Sequence, residues 1–332
     1  MFYNIRISPR FSPFNPQHKS TMHLQCRSLS YDFISQTTPW NLHPWTGQDC
    51  KETLHASFIK LGIISPPIVM QTGDNSFVII SGHRRIQFGR TYLQESYIDC
   101  RVIKKDIESH LLFDIILHDF PDPTALSLAE KAQFLYIASK FFRQETLASR
   151  FFDKLGIKRK HSFLNDLFRL LDQDDNFIKL THNGLIEEQM LSELLRLKIE
   201  DRSALIQLFS HFNLGASKQK KFFNLVRDAA YKENVSLMIY LQREEILAIT
   251  EDISLNAPQK INHLDQFLQQ SIYPQSFEAE KEFAAQIKTF NLPKNQIITH
   301  SQAFEKNTVT LSTEFPSLER CKSFLQKVDK LG

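Results

Sequence analysis

Apolar and polar positions change period several times between residues 51 and 103. Leu54, Phe58 and Leu61 recur at helical spacing and Gly62 follows as a stop, which predicts a helix over 51–61. Pro66-Pro67 leads into the apolar run Ile68-Val69-Met70. Thr72-Gly73-Asp74-Asn75 then reads as a hairpin turn before Phe77-Val78-Ile79-Ile80. A second helix is predicted from Ser81-Gly82 to about Leu93, a strand over 97–103, and a short strand over 31–35. Mixed α/β character therefore ends near residue 105.

Beyond it the spacing turns helical. Leu128, Ala132 and Leu135 form a stripe, and Ser127 with Glu130 forms a capping box at its start. Further helices are predicted near 144–154, 160–172, 174–181, 187–197, 201–211 and 217–230, joined by short linkers. Helical character continues to about Phe290. Two strands (296–300 and 308–314) and an amphipathic helix (317–328) close the chain. The expected organisation is a flexible basic arm (1–30), a mixed α/β domain (31–105), a helical domain (106–230) and a C-terminal region (231–332).

Composition narrows the function classes. The chain has 332 residues and 42% hydrophobic side chains, enough for real cores in more than one domain. No apolar run approaches the roughly 18 residues of a membrane span. Arg6, Arg10 and Lys19 interrupt any secretory core near the N-terminus. The four cysteines, Cys26, Cys50, Cys100 and Cys321, are far apart and suit reduced thiols in a cytoplasm. The twelve histidines show no metal-ligand spacing, so neither metal ligands nor a catalytic set is expected. Net charge is only +3, yet residues 140–170 hold eight Lys/Arg against three acids. Such local excess suits either a phosphate-backbone partner or a solvated helix face.

The most informative run is Val78-Ile79-Ile80-Ser81-Gly82-His83-Arg84-Arg85. A buried strand ends, a glycine permits a tight turn, and a helix opens with two arginines. Helix N-termini hold anions, whereas cations there oppose the dipole at a cost of several tenths of a kcal/mol. A bound phosphate offsets that cost. The alternative is that both arginines pair with carboxylates of the protein itself.

With these residues in view, Leu54 to Val102 resembles the N-terminal domain of ParB partition proteins. Ser57 to Val69 is similar to that family's helix, Gly and Pro-Ile strand signature, and Ser81-Gly82-His83-Arg84-Arg85 is similar to its Gly-Glu-Arg-Arg turn. The resemblance implies that Gly82, His83, Arg84 and Arg85 bind a nucleoside triphosphate, CTP with magnesium. It departs from the family at His83, where Glu is commonest. A second departure is Leu117-His118-Asp119-Phe120-Pro121-Asp122-Pro123, which replaces a Glu-Asn-x-Gln-Arg run and lacks its arginine. That loss argues against CTP hydrolysis. Sulfiredoxin shares the fold, but Gly82 stands where its catalytic Cys would be.

Downstream, Gln144 to Arg150 resembles the first helix of a helix-turn-helix, with Leu155-Gly156-Ile157 as the turn and 160–171 as the second helix. Leu164, Leu167, Phe168 and Leu171 are spaced to pack inward. Lys158, Arg159, Lys160, His161, Ser162 and Asn165 then surround the N-terminal end that a recognition helix presents to the major groove. The segment 150–156 is about two residues longer than usual. The fold class expected is α+β: a ParB/sulfiredoxin-like domain, an all-helical helix-turn-helix domain, and a mostly helical C-terminal region ending in a small α/β unit. The resemblance implies a cytoplasmic, nucleoid-associated homodimer on double-stranded DNA, serving chromosome or plasmid partition with a partition ATPase, and no membrane. Two alternatives stand beside it. One is a diverged scaffold whose turn serves another phosphate ligand or protein contacts; the other is a phosphohydrolase of nucleotides or nucleic acid. The last two strands and helix are either a dimerisation module or a small domain packed on its own chain.

Overall fold

The computed structural model describes residues 24–44, 52–92, 96–301 and 308–328. The chain is an α+β protein that divides into two compact units, Met1–Arg196 and Leu197–Gly332.

The first unit is built on a five-stranded sheet of β1 (Gln25–Ser30), β2 (Ile34–Ser35), β3 (Ile68–Gly73), β4 (Ser76–Ser81) and β5 (Tyr97–Ile103). The strands lie in the order β1-β5-β3-β4-β2. β3 and β4 form the expected hairpin, and β3 runs parallel to β5. β1 falls in the stretch predicted to be a flexible arm. It pairs antiparallel with β5, from Gln25 opposite Val102 to Ser30 opposite Tyr97. The rest of that arm, residues 1–23, lies outside the described residues. The strand predicted over 31–35 is mostly a 3-10 turn, Tyr31–Phe33, because Ser30 Oγ accepts the Asp32 N–H at 3.3 Å. Only Ile34–Ser35 remains extended, parallel to β4.

Helices α1 (Glu52–Leu61) and α2 (His83–Tyr92) match their predicted positions. Ile86 of α2 closes a core with Leu29, Ile34, Val69, Phe77, Ile79, Ile98, Cys100 and Val102. Burying each large apolar side chain is worth roughly 1.5–3 kcal/mol, so this core fixes α2 to the sheet and aims its N-terminus.

The helical part of the first unit comprises α3 (Ser109–His118), α4 (Leu128–Ser139), α5 (Gln144–Phe151), α6 (Phe163–Leu171), α7 (Asp175–His182) and α8 (Glu188–Leu194). α4 packs against α5, α6 and α7. It is therefore buried almost all round, Ala129, Ala132, Phe134, Leu135, Ile137 and Ala138 included, rather than along one stripe. An aromatic cluster fastens the segment before residue 44 to these helices. Trp40 stacks on Phe141 at 5.3 Å and meets the edge of Phe113 at 5.8 Å, and Phe113 continues to Phe134 and Phe151.

α6 begins three residues later than predicted. Gly156 adopts φ +67°, the Gly156 N–H bonds Asp153 O at 3.1 Å and the Ile157 N–H bonds Phe152 O at 2.9 Å. This is a Schellman turn. It buries Leu155 and Ile157, and the chain resumes helix only where Phe163 and Leu164 can reach the core. The inward face of α6 is Phe163, Leu164, Leu167 and Leu170; Phe168 and Leu171 are half-buried.

The second unit contains α9 (Ile199–His211), α10 (Ala216–Lys232), α11 (Leu237–Leu241), α12 (Glu244–Glu251), α13 (Ala257–Ile272) and α14 (Pro274–Thr289). The helices α10, α11 and α13 pack around Phe222, Val226, Tyr240 and Leu264. The predicted terminal strands are β6 (Gln296–His300) and β7 (Val309–Thr313), antiparallel with Ile298 opposite Leu311, and α15 (Leu318–Val328) follows. Among the described residues no helix is long and apolar enough to cross a membrane.

Candidate functional site

Strand β4 delivers the chain to Gly82, whose φ of +91° turns it into α2. A Cβ at Gly82 would stand 2.8 Å from Pro67 Cβ, so only glycine fits this turn without displacement. The first helical hydrogen bond runs from Ile86 N–H to Gly82 O at 3.1 Å. The N–H groups of the first turn have no acceptor within the helix, and they carry the positive end of its dipole.

The two arginines part company after the turn. Arg85 donates to Ser65 O at 2.9 Å and Pro66 O at 3.2 Å, and pairs with buried Asp119, which also accepts from Ser81 Oγ. Arg85 is thus a strut that joins α2, the 65–66 loop and the C-cap of α3. Removing one partner of so buried a pair typically costs 3–5 kcal/mol. Arg84 is looser. Its side chain is 30% exposed, and the guanidinium lies 3.6 Å from Glu130 Oε1 and 3.4 Å from His43 Nδ1. His83 points into the protein, and its Nε2 is buried without a partner among the described residues. Burial, then the charges of His43 and Arg85, push the His83 pKa down to about 3, so the ring is neutral.

A cleft of about 980 Å³ opens beside the turn, lined by Gly82, Arg84, Arg85, Lys131, His182 and Glu188 among others. Pockets for drug-sized ligands span roughly 300–1,000 Å³. Three of the four residues expected to bind nucleotide therefore meet at this cleft, and His83 does not line it. The opposite wall is the start of α4 and the turn between α7 and α8. Burial is the largest influence on Glu130 and raises its pKa. The hydrogen bond and charge of His43, the Ser127 backbone N–H and the charge of His182 outweigh it and hold Glu130 down to about 2. Burial lowers the pKa of Lys131 against the pull of Glu188 and Asp122. Glu188 is raised by burial, with Lys131 and Arg159 opposing. Ser127 Oγ lies 2.8 Å from His182 Nδ1, the same nitrogen that is 4.0 Å from Glu130. A serine relay needs its hydroxyl and carboxylate on opposite ring nitrogens, so these three form none. Among the described residues no group of three or more His, Cys, Asp or Glu side chains is placed to hold a metal ion.

The expected DNA-reading residues fall in two places. Lys158, Arg159, Lys160, His161 and Ser162 are exposed and precede α6, while Asn165 is exposed in its first turn. The Asn165 amide oxygen accepts from Gln144 Nε2 at 3.0 Å, which ties α6 to α5. Arg159 lies over the Phe163 ring at 5.3 Å. The basic excess of this region is partly spent within the protein. Arg150 and Lys154 both pair with Asp114, and Arg169 pairs with Asp166 and donates to Leu195 O at 2.6 Å. Lys158, Arg159 and Lys160 remain exposed, as do Lys140 and Arg143 earlier in the segment.

His43, Asp119, Glu130, Lys131, His182 and Glu188 complete the site but carry no local motif. The capping box marks Glu130 as a helix start, and nothing in it shows that the same carboxylate meets His43.

No family model and no curated protein matches the sequence. Among the solved structures similar to part of it are two of one protein. The C-terminally truncated chromosome-partitioning protein ParB from Caulobacter crescentus, complexed to the centromeric parS site, is 14% identical with a TM-score of 0.33. That match covers 59% of this chain and 97% of the other. The same truncated protein complexed with CTP-gamma-S is 16% identical over 56% of this chain and 98% of its own, with a TM-score of 0.23.

Proposed function

We propose that this chain is a DNA-binding protein of the ParB partition type, with a phosphate-accepting cleft at Arg84 and a DNA-facing loop at 158–162. One observation carries the reading: a single compact unit combines a glycine-gated helix N-terminus on a large cleft with an exposed basic loop ahead of an amphipathic helix. Arg84 and the first-turn N–H groups of α2 hold the phosphates, and Arg85 positions the turn through Ser65, Pro66 and Asp119. Lys158, Arg159 and Lys160 contact the DNA backbone, and Asn165 lies where a base edge would be read. The cleft's size and the Gly82 turn fit CTP, the cofactor that the sequence resemblance implies. CTP would bring a polyanion that draws α2 and α4 together. The role is binding; with Asp119 committed to Ser81 and Arg85, no residue is assigned to hydrolysis. In this reading the protein works in the cytoplasm as a homodimer on double-stranded DNA.

A second reading rests on the internal pairing of Arg84 and Arg85. It is a scaffold of the same type whose turn is purely structural. Two measurements separate them. CTP or inorganic triphosphate raises the thermal midpoint of wild type, and Arg84→Ala abolishes the rise. DNA retention falls steeply with salt and is weakened by Lys158→Ala combined with Arg159→Ala. DNA binding without any ligand-induced rise favours the structural turn. Salt-insensitive retention, or none, rejects the DNA reading.

A further inference from the structure

Three side chains converge on one carboxylate oxygen in the cleft wall. Glu130 Oε1 is hydrogen-bonded by His43 Nδ1 and lies 3.6 Å from Arg84 Nη2 and 4.0 Å from His182 Nδ1. Its other oxygen accepts the Ser127 N–H at 2.8 Å. Arg84 Nη2 also stands 3.4 Å from His43 Nδ1. That ring nitrogen carries either a proton or a lone pair. With the proton it donates to Glu130 and offers Arg84 nothing; with the lone pair it accepts from Arg84 and faces Glu130 unfavourably. Arg84 and a second proton on the imidazole are therefore rival cations for one carboxylate that is only 8% exposed.

We propose that Glu130 and His43 form a proton-coupled latch on Arg84: the guanidinium rests on them until a phosphate takes it, and His43 gains a proton as it leaves. The idea builds on the phosphate-site reading and names its regulation. Glu130 is buried enough to need a cationic partner, so withdrawing Arg84 raises the affinity of the neighbouring imidazole for a proton. The other charged and titratable groups nearby preserve this logic. The charges of His43 and Arg85 both act on His83, Arg85 is held by Asp119, and Lys131 is attracted by Glu188 and Asp122. His182 is partly engaged with Ser127. The coupling is reciprocal. Phosphate binding thus strengthens as pH falls, by at most about tenfold per pH unit for one proton.

The test has two arms on the full chain. In the first, histidine ring resonances are titrated without ligand in wild type, Arg84→Ala and Glu130→Gln, with far-UV circular dichroism to confirm folding. Arg84→Ala moves the His43 transition to higher pH and Glu130→Gln moves it lower. If Glu130→Gln does not fold, Arg84→Ala alone decides, and an unmoved His43 in that variant overturns the latch. In the second, inorganic triphosphate is titrated calorimetrically near neutral pH in two buffers of different ionisation enthalpy. Proton uptake by wild type that disappears in His43→Gln supports the latch. Binding without proton uptake overturns the latch and leaves the phosphate site standing. No binding by wild type overturns both.

Discussion

His83 is neutral because it is buried, with Arg85 nearby, and Glu130 is ionised among histidines; both choices have consequences in acid. The folded pKa of His83 is about 3 against an ordinary 6.5, and that of Glu130 is about 2 against 4.5. Each group binds fewer protons folded than unfolded, so acidification favours the unfolded chain. The His83 contribution is complete above pH 6.5 and is lost towards 3. The Glu130 contribution is complete above 4.5 and is lost towards 2. Thermal midpoints should fall continuously below pH 6.5, with His83→Gln flattening the upper part of the decline and Glu130→Gln the lower. Curves that run parallel to wild type in both windows would show that neither group is linked to folding. Neither environment was legible in the sequence. His43, Glu130 and His182 come from distant parts of the chain, and only the packing of α4 against α7 and the His43–Glu130 contact bring them together.

At the scale of elements the sequence was far more readable, because most helices and strands bury one face and show it in their spacing. The β3–β4 hairpin, α2, α4, the chain from α7 to α10, and β6, β7 and α15 lie where periodicity and caps predict them. β1 escaped because it is a sheet edge with Leu29 as its one buried side chain, so no alternation marks it. The start of α6 was misplaced because charged residues at 158–160 fit a helix face as well as a loop, and the Schellman turn at Gly156 settles the matter. That turn packs against Thr124. A Cβ at Gly156 would stand 2.9 Å from Thr124 Cβ, in addition to the strain of φ +67°. Gly156→Ala should cost roughly 1–3 kcal/mol, measured by urea unfolding. It should also weaken DNA retention, since the displaced loop carries Lys158 to Ser162. Full stability in the variant would mean that the turn relaxes freely.

For the whole molecule, the division at Arg196 leaves the cleft, the Arg-Arg turn and the basic loop in one unit. A fragment of residues 1–196 should fold with a single cooperative transition and keep both the salt-dependent DNA retention and the ligand-induced rise in midpoint. A folded fragment that holds no DNA would overturn the assignment of DNA contact to this unit alone. The ring cluster around Trp40 offers a way to watch it work. Trp40 is 4% exposed, stacked on Phe141, and only three positions before His43 on the same segment. An indole so shielded emits at the blue end of its range, and a shift of that segment would alter its colour. With Trp45, the chain's other tryptophan, replaced by phenylalanine, the protein carries its own optical gauge of the segment that bears His43, readable in a cuvette without any attached dye.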